Sequence, residues 1–389
     1  MNNSENLFPF PSHWQTKAIK EFAKVKGGKR LPRGASLIQT KTAHPYIRIV
    51  DFKNGRVDKS NLMYVPNDIF PLISRYVISK DDVYISIVGT VGLVGVIDEE
   101  LDGANLTENA AKICEINDAV VDRNFLAAYL QSDLGQREIM AQTVGSTQPK
   151  LALFRIGDIR VPVPPLPEQR AIAAVLGALD DKIELNRRMN RTLEAMAQAV
   201  FRHWFVENEE AEGWKIGDVS YFAQVRSGER PMTTKKIADA EYKYPLFGGG
   251  GIMAYTNKSL YDSPILLTGR VGTLGGIFRI SYPCWASDNT LVLIPLKPEN
   301  YYYLYFHLKQ IDFEMLNRGS TQPLLTQSDL QKIEAPLPPD RLLGEFTRVV
   351  SPIFAKIDAN EQQSRTLAAL RDALLPKLLR GEVRVTVHE

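Results

Sequence analysis

The chain reads as an α+β protein built twice: two duplicated α/β domains separated by two long helices that pair as a coiled coil. Three observations predict this. Two stretches, 164–205 and 340–381, carry a seven-residue apolar repeat. The run Gly145-Ser146-Thr147-Gln148-Pro149 recurs letter for letter as Gly319-Ser320-Thr321-Gln322-Pro323. Ahead of each run lies the same order of short β-branched strands followed by a helix.

The helices carry the strongest pattern. In the first, Ile172, Leu179, Leu193 and Val200 fall seven apart on one row, with Asn186 in the middle slot. Leu176, Ile183, Ala197 and Trp204 line the adjacent row. A strict heptad keeps one stripe turned toward a partner helix. The charged residues Asp181, Lys182, Glu184, Arg187 and Arg188 fall mostly off that stripe. Prolines at the entry suit the first turn, where a missing N–H costs nothing. Roughly 38 residues at about 1.5 Å each would span about 57 Å. One helix of that length cannot bury its seam alone.

The C-terminal stretch supplies the partner. Phe346, Ile353, Asn360, Leu367 and Leu374 form one row, and Val350, Ile357 and Leu378 the next. Asn186 and Asn360 are 360 − 186 = 174 apart, and so are Leu193 and Leu367. Lys182-Ile183-Glu184-Leu185 precedes one Asn, and Lys356-Ile357-Asp358-Ala359 the other. The two helices read as copies. A buried Asn in such a seam fixes register and partner choice at some cost in stability. The alternative leaves both Asn residues solvated.

At 389 residues the chain has room for two or three domains with cores of their own. The expected division is a first globule at 1–163, a spacer helix at 164–207, a second globule at 208–335, and a C-terminal helix and tail at 336–389. The polar stretch 207–213 reads as the linker into the second copy. No apolar run approaches the roughly 18 residues of a membrane span, and no secretory signal opens the chain. Two cysteines, Cys114 and Cys284, point to a reducing, cytoplasmic setting. Neither lies in a CxxC or Cys/His cluster, and the five His are scattered, so no metal site is expected. A formal charge of +2 means that any basic surface must be local.

Further anchors repeat. Trp14 with 25–30 (VKGGKR) resembles Trp214 with 225–230 (VRSGER), an offset of 200. Gly89-Thr90-Val91-Gly92 resembles Gly269-Arg270-Val271-Gly272, and Glu108-Asn109 resembles Asp288-Asn289, both at 180. Trp14 to Gly89 is 75 positions, and Trp214 to Gly269 is 55. A common scaffold with surface loops of different length has this form, and recognition usually lives in such loops. Strands are expected at 46–50, 83–88 and 112–116 in the first copy, and at 265–268, 276–280 and 290–294 in the second. Helices are expected at 124–140 and 301–316.

No catalytic constellation is present. There is no Walker A signature, no GxGxxG after a strand, and no Pro-Pro-aromatic signature of the kind amino-methyltransferases share. The run Gly248 to Gly251 can approach a phosphate, or it is a flexible turn. The basic features say more. Lys24, Lys26, Lys29, Arg30 and Arg33 crowd around Gly27-Gly28, and Arg226, Arg230, Lys235 and Lys236 sit at the matching place. Lys and Arg on a glycine-bearing loop reach phosphates and make binding salt-dependent; the alternative is a solvated charged loop. In the repeated runs, Ser146, Thr147, Gln148, Ser320, Thr321 and Gln322 suit base edges or phosphates, with Lys150 beside them. Identity between the copies favours scaffold or backbone contact there, because residues that read two different sequences should differ. Arg270, matched with Thr90, differs between the copies and is a candidate for base readout.

Two variable globules, each ending in Gly-Ser-Thr-Gln-Pro, with Pro164-Pro165-Leu166-Pro167-Glu168-Gln169-Arg170 entering the first long helix, resemble the specificity subunit of type I restriction-modification systems. The resemblance covers nearly the whole chain. The second copy departs from it, since Pro336-Leu337-Pro338-Pro339-Asp340-Arg341 lacks the Glu-Gln pair, which puts equal contacts by the two helix entries in doubt. The resemblance implies two target-recognition domains, each reading half of a split DNA sequence, and two long antiparallel helices that pack as a pseudo-two-fold coiled-coil spacer and set the unread gap. It implies no catalytic site on this chain. It implies two modification subunits that supply S-adenosylmethionine and methylate adenine, and motor-nuclease subunits that use ATP and magnesium. The competing class is a protein-interaction scaffold that never touches DNA.

Overall fold

The computed structural model describes residues 10–11, 13–145, 149–272, 275–316 and 324–385. The chain forms two compact units, residues 1–185 with 363–389, and residues 186–362. This division differs from the one expected at 163, 207 and 335, because each long helix is shared between the two units. In packing, each half-helix goes with the core it covers.

The first unit is built on a four-stranded antiparallel sheet in the order Lys24–Gly27, Ala110–Cys114, Val83–Ser86, Val94–Val96. A second sheet runs Met63–Tyr64, Pro45–Ile47, Ala104–Leu106, Val77–Ile78, with Pro45–Ile47 and Ala104–Leu106 parallel. Gln15–Ala18 pairs antiparallel with Arg160–Val163, which brings the two ends of the globule together. The expected strand 46–50 is shorter, because the chain turns into a 3-10 turn at Ile49–Asp51. There the Asp51 carboxylate accepts from the Arg48 backbone N–H (2.8 Å) and binds its guanidinium (2.8 Å).

The helix expected at 124–140 is two helices, Arg123–Gln131 and Asp133–Gln142. Ser132 ends the first and caps the second. Its N–H donates to the Tyr129 carbonyl (3.0 Å), and its Oγ accepts from the Gly135 N–H (3.2 Å). Serine at a helix N-cap satisfies a donor that the helix itself cannot. Gly135 is required because a Cβ would lie 2.1 Å from the Tyr129 carbonyl oxygen.

The second unit repeats this plan. Its antiparallel sheet runs Ala223–Ser227, Thr290–Pro295, Ile265–Gly269, Phe278–Ile280. Its second sheet again contains a parallel pair, Tyr244–Gly248 with Trp285–Ala286, and adds the hairpin strand Gly251–Thr256. The run Gly248 to Gly251 closes that hairpin, with Gly251 at φ 110°. Ile216–Asp218 pairs with Glu334–Pro336 as its counterpart does in the first unit. The helix expected at 301–316 stops after Asn300–Leu308 and resumes as a 3-10 turn at Phe313–Leu316.

The two long helices are Leu166–Phe205 and Asp340–Leu379, each 40 residues. In the first unit Ile172, Ala173 and Leu176 share one core with Leu378, Leu379, Phe125 and Tyr129. Arg371 Nη1 binds Asp180 Oδ1 at 2.7 Å. In the second unit Asn186 Nδ2 donates to the Asn360 carbonyl (3.3 Å), and Asn190 Nδ2 to the Ile357 carbonyl (3.4 Å). Asn360 Nδ2 donates to Asn190 Oδ1 (2.8 Å). Within each unit, rising numbers on one helix meet falling numbers on the other, so the pair is antiparallel. Asn186 and Asn360 are 1% and 2% exposed, so the solvated alternative does not hold. Asn190 completes the polar layer; it fills the slot between Ile183 and Ala197 on the adjacent row, which the sequence reading left unnamed.

The remaining seam residues face the same way. Ile357 is buried; Leu179, Ile183, Leu193, Ile353, Leu367 and Leu374 are half-buried. Toward residue 205 the buried positions are Phe201 and Phe205, while Val200 and Trp204 are half-buried. A third element moves the stripe: Asn300–Leu308 packs alongside, with the rings of Phe201 and Phe306 5.4 Å apart.

Candidate nucleic-acid interface

Each unit holds a cationic loop against its second sheet through one glycine. Gly28 donates its N–H to the Ala110 carbonyl (2.9 Å), and a Cβ there would lie 2.1 Å from the Thr107 carbonyl oxygen. Lys29 N–H donates to the Leu106 carbonyl (2.8 Å), and the Lys29 carbonyl accepts from the Tyr46 hydroxyl (2.8 Å). Gly228 repeats the device. Its N–H donates to the Thr290 carbonyl (3.0 Å), and a Cβ would lie 2.2 Å from the Ser287 carbonyl oxygen. Glu229 N–H donates to the Ala286 carbonyl (2.9 Å), and its carbonyl accepts from Trp285 Nε1 (2.7 Å). Backbone contacts thus fix both loops at one place, and the side chains remain free to differ.

The cations on these loops are of two kinds. Lys24 and Lys26 both bind Glu115, at 2.5 and 2.6 Å. The Lys24 hydrogen bond, then that of Lys26, lowers the Glu115 carboxyl to about 2. Arg30 binds Glu108 at 2.7 Å. Burial would raise Glu108, but the Arg30 hydrogen bond and charge, with the hydrogen bonds from its own backbone N–H and from Thr107, together outweigh it and hold the carboxyl below its ordinary value. Lys235 binds Asp239 at 2.6 Å and lies over the Tyr242 ring. Lys26, Arg30 and Lys235 thus each sit beside an acid, 89, 78 and 4 positions away in sequence, and their side chains remain exposed. Lys29, Arg33, Lys150, Arg226, Arg230, Lys236 and Arg270 make no ion pair among the described residues. Lys29 and Arg75 both lie over the Tyr76 ring, at 5.6 and 5.2 Å.

The match of Thr90 with Arg270 is corrected. Ser86 pairs with Ala110, and Gly269 with Thr290. One residue on, Ile87 N–H donates to the Asn109 carbonyl (2.8 Å), and Arg270 N–H to the Asn289 carbonyl (2.9 Å). The Ile87 carbonyl accepts from Leu151 N–H (3.0 Å), and the Arg270 carbonyl from Leu325 N–H (2.9 Å). Arg270 therefore corresponds to Ile87, an offset of 270 − 87 = 183. Gly89 and Gly272 follow at φ 79° and 83°, and Gly92 and Gly275 at 91° and 83°. Backbones in that region favour glycine. The repeated turn is Gly89-Thr90-Val91-Gly92 with Gly272-Thr273-Leu274-Gly275. Thr90 is exposed and has Thr273 as its sequence counterpart; Thr273 and Leu274 lie outside the described residues. The matched separation in the second copy is 272 − 214 = 58, not 55.

Val144 and Lys150 exchange backbone hydrogen bonds at 3.0 and 2.9 Å, which leaves the Lys150 side chain exposed. Ser146, Thr147, Gln148, Ser320, Thr321 and Gln322 lie outside the described residues.

The Glu-Gln difference at the helix entries has a local cause. Gln169 is fully buried. Its amide nitrogen donates to the Val120 and Pro164 carbonyls (3.0 and 2.8 Å), and its Oε1 accepts from the Asp122 N–H (2.8 Å). Asp122 in turn caps Arg123–Gln131. In the second unit Asp340 sits at the helix entry and binds Lys297 at 2.6 Å on the surface. Gln169 is a bracket within its unit, a role the sequence pattern did not separate from partner contact. Also unforeseen is a polar cluster in the second unit, in which Arg270 Nη1 and Gln327 Nε2 donate to Ser227 Oγ at 3.4 and 2.8 Å. These positions lie 43 and 100 apart from Ser227 in sequence, so only strand register reveals them.

Among the described residues, no group of His, Cys, Asp and Glu could hold a metal ion, and no helix is long and apolar enough to cross a membrane.

Comparison with known proteins agrees with the duplication. The family model for the type I restriction modification DNA specificity domain matches twice, over residues 11–195 and 208–367. The MjaIX specificity subunit of Methanocaldococcus jannaschii is 29% identical over 281 residues, spanning 62% of this chain and 64% of that relative. A putative MjaX specificity subunit of the same organism is 24% identical over 426 residues, spanning 96% of this chain and 95% of that one. The crystal structure of a type I restriction-modification S subunit from M. genitalium superposes with a TM-score of 0.60 at 17% identity, covering 97% of this chain and 98% of that one. With two matches that together take in most of the sequence, and the same sheet order built in both, the chain belongs to the type I restriction modification DNA specificity domain family.

Proposed function

We propose that the chain is the non-catalytic DNA-specificity subunit of a type I restriction-modification complex. Each unit reads one half of a split duplex sequence, and the two long helices set the unread gap and dock two modification subunits. S-adenosylmethionine, ATP and magnesium then belong to the modification and motor-nuclease subunits, not to this chain. One observation carries the reading. The same sheet order and glycine-held cationic loop are built twice, while the side chains on the loops differ. A shared frame positions each unit on phosphates, and differing side chains select different bases. The unpaired cations make the phosphate term salt-dependent, with a slope of roughly −0.9 per phosphate neutralised.

The test uses the full chain with its cognate modification subunits. Methylated adenines are mapped in duplex DNA, and the mapping is repeated after residues of the first globule are exchanged for those of a related chain. One half of the bipartite target changes and the other stays. Inserting one helical turn ahead of Asn186, with its match just after Asn360 on the antiparallel helix, lengthens the gap. Duplex binding that ignores salt and sequence would remove the proposal and leave a protein-interaction scaffold.

A further inference from the structure

Strand register places three side chains at one spot in each unit, and the two sets differ in kind. In the second unit they are Ser227 at the end of its strand, Arg270 just past Ile265–Gly269, and Gln327 opening the helix Gln327–Gln331. Both Arg270 and Gln327 donate to the Ser227 hydroxyl, at 3.4 and 2.8 Å. The Arg270 backbone is held on both sides, by Asn289 and Leu325. Its guanidinium is half-buried, is oriented through Nη1, and meets no carboxylate among the described residues. The Nε and Nη2 donors are left over.

In the first unit the same positions are Gly27, Ile87 and Leu153. Ile87 makes the same two backbone hydrogen bonds, to Asn109 and from Leu151. A Cβ placed on Gly27 would meet Leu153 Cδ1 at 3.4 Å, so here the hydroxyl position is empty and an apolar side chain lies over it. The fold therefore accepts Ile where the second unit holds Arg. A partly desolvated charge without an acid costs stability, and the first unit shows that the frame does not need it. An arginine kept there, with two of its donors unused and a serine and glutamine steering it, is arranged for an outside acceptor.

We infer that Arg270, steered by Ser227 and Gln327, reads a guanine in the half-site of the second unit, and that Gly27, Ile87 and Leu153 leave the first unit without that reading. The planar guanidinium fork matches guanine O6 and N7 with two parallel hydrogen bonds, whereas lysine reaches that edge as a flexible point charge without the fixed fork. The inference rests on the DNA-reading role proposed above.

The test takes the full chain with its cognate modification subunits, as wild type, Arg270→Lys and Arg270→Ile, against a randomised duplex DNA pool, and sequences the bound fraction. Ile occupies the equivalent place in the first unit, so that variant is one the fold accepts. Wild type selects a guanine at one position of one half-site. Arg270→Ile loses that preference by roughly 5- to 150-fold and Arg270→Lys weakens it, while the other half-site stays as selective as before. If Arg270→Lys selects the same guanine as strongly as wild type while Arg270→Ile binds every sequence more weakly, Arg270 touches phosphate and the inference fails. It fails equally if Arg270→Ile selects an unchanged sequence. If wild type selects no sequence at all, the DNA-reading role itself is lost, which is a different outcome.

Discussion

Removing the Arg279 side chain should loosen the second unit by an amount the structure sets. Arg279 lies on Phe278–Ile280 with its side chain 8% exposed, and it meets Asp358 of the C-terminal helix through both Nη atoms. Ser281 Oγ donates to the same carboxylate at 2.8 Å, and the guanidinium sits 4.4 Å from the Phe354 ring centroid. Burial would lower the Arg279 pKa, but the hydrogen bond to Asp358 and the neighbouring Asp358, Tyr301 and Tyr302 together outweigh it, so the group stays charged. Breaking a buried pair costs about 3–5 kcal/mol because it strands one charge. Asp358 is 32% exposed and can be rehydrated, so Arg279→Ala falls near the lower end, about 3 kcal/mol. Asp358→Ala leaves the more buried partner unpaired and falls near the upper end, about 5 kcal/mol. Arg279→Met with Asp358→Leu removes both charges and recovers most of the loss. In a chain with two units a single unfolding transition is not assured. Amide hydrogen exchange of Ile265–Gly269 and Phe278–Ile280 therefore gives the local free energy. Single variants that each change it by less than about 1 kcal/mol, or a double variant equal to their sum, would refute a stranded-charge account.

Two further outcomes follow from packing and from protonation. Gly28→Ala places a Cβ 2.1 Å from a backbone oxygen, and Gly228→Ala one at 2.2 Å, so each should unfold or displace the loop of its own unit; Gly177→Ala, with no atom within 4 Å, should stabilise its helix by about 0.5–1 kcal/mol, as thermal melting of the three variants would show. His307 stacks on Tyr303, and its Nε2 lies 2.9 Å from the Glu334 carbonyl; burial holds its pKa below 6.5, so it is neutral in the fold and more readily protonated when unfolded. The stability it contributes is therefore present above pH 6.5 and falls as pH drops below it, and His307→Gln should flatten that part of a pH–melting profile.

The long helices were legible because a heptad is a local pattern: Ile172, Leu176, Asn186, Ile357 and Asn360 announce a shared seam without any knowledge of the globules. The end of that seam was less legible. Phe201 and Phe205 are buried there because Asn300–Leu308 packs beside them, and no periodicity within the helix records a third element. The break at Ser132 hid for a different reason, since one serine serves as the end of one helix and the cap of the next within an otherwise helical run.

The sequence by itself determined that the chain is duplicated, that each copy carries a glycine-borne cationic loop, and that two stretches carry matching heptad seams with one asparagine each. Those properties are written in spacing and identity, which survive without coordinates. The burial of those asparagines came from the structure. Only the tertiary structure decided which cations are free and which residues correspond. Lys26 meets Glu115 and Arg30 meets Glu108 through strand neighbours far apart in the chain. Arg270 stands opposite Ile87 rather than Thr90 because backbone hydrogen bonds, not letter matches, set the register of a sheet.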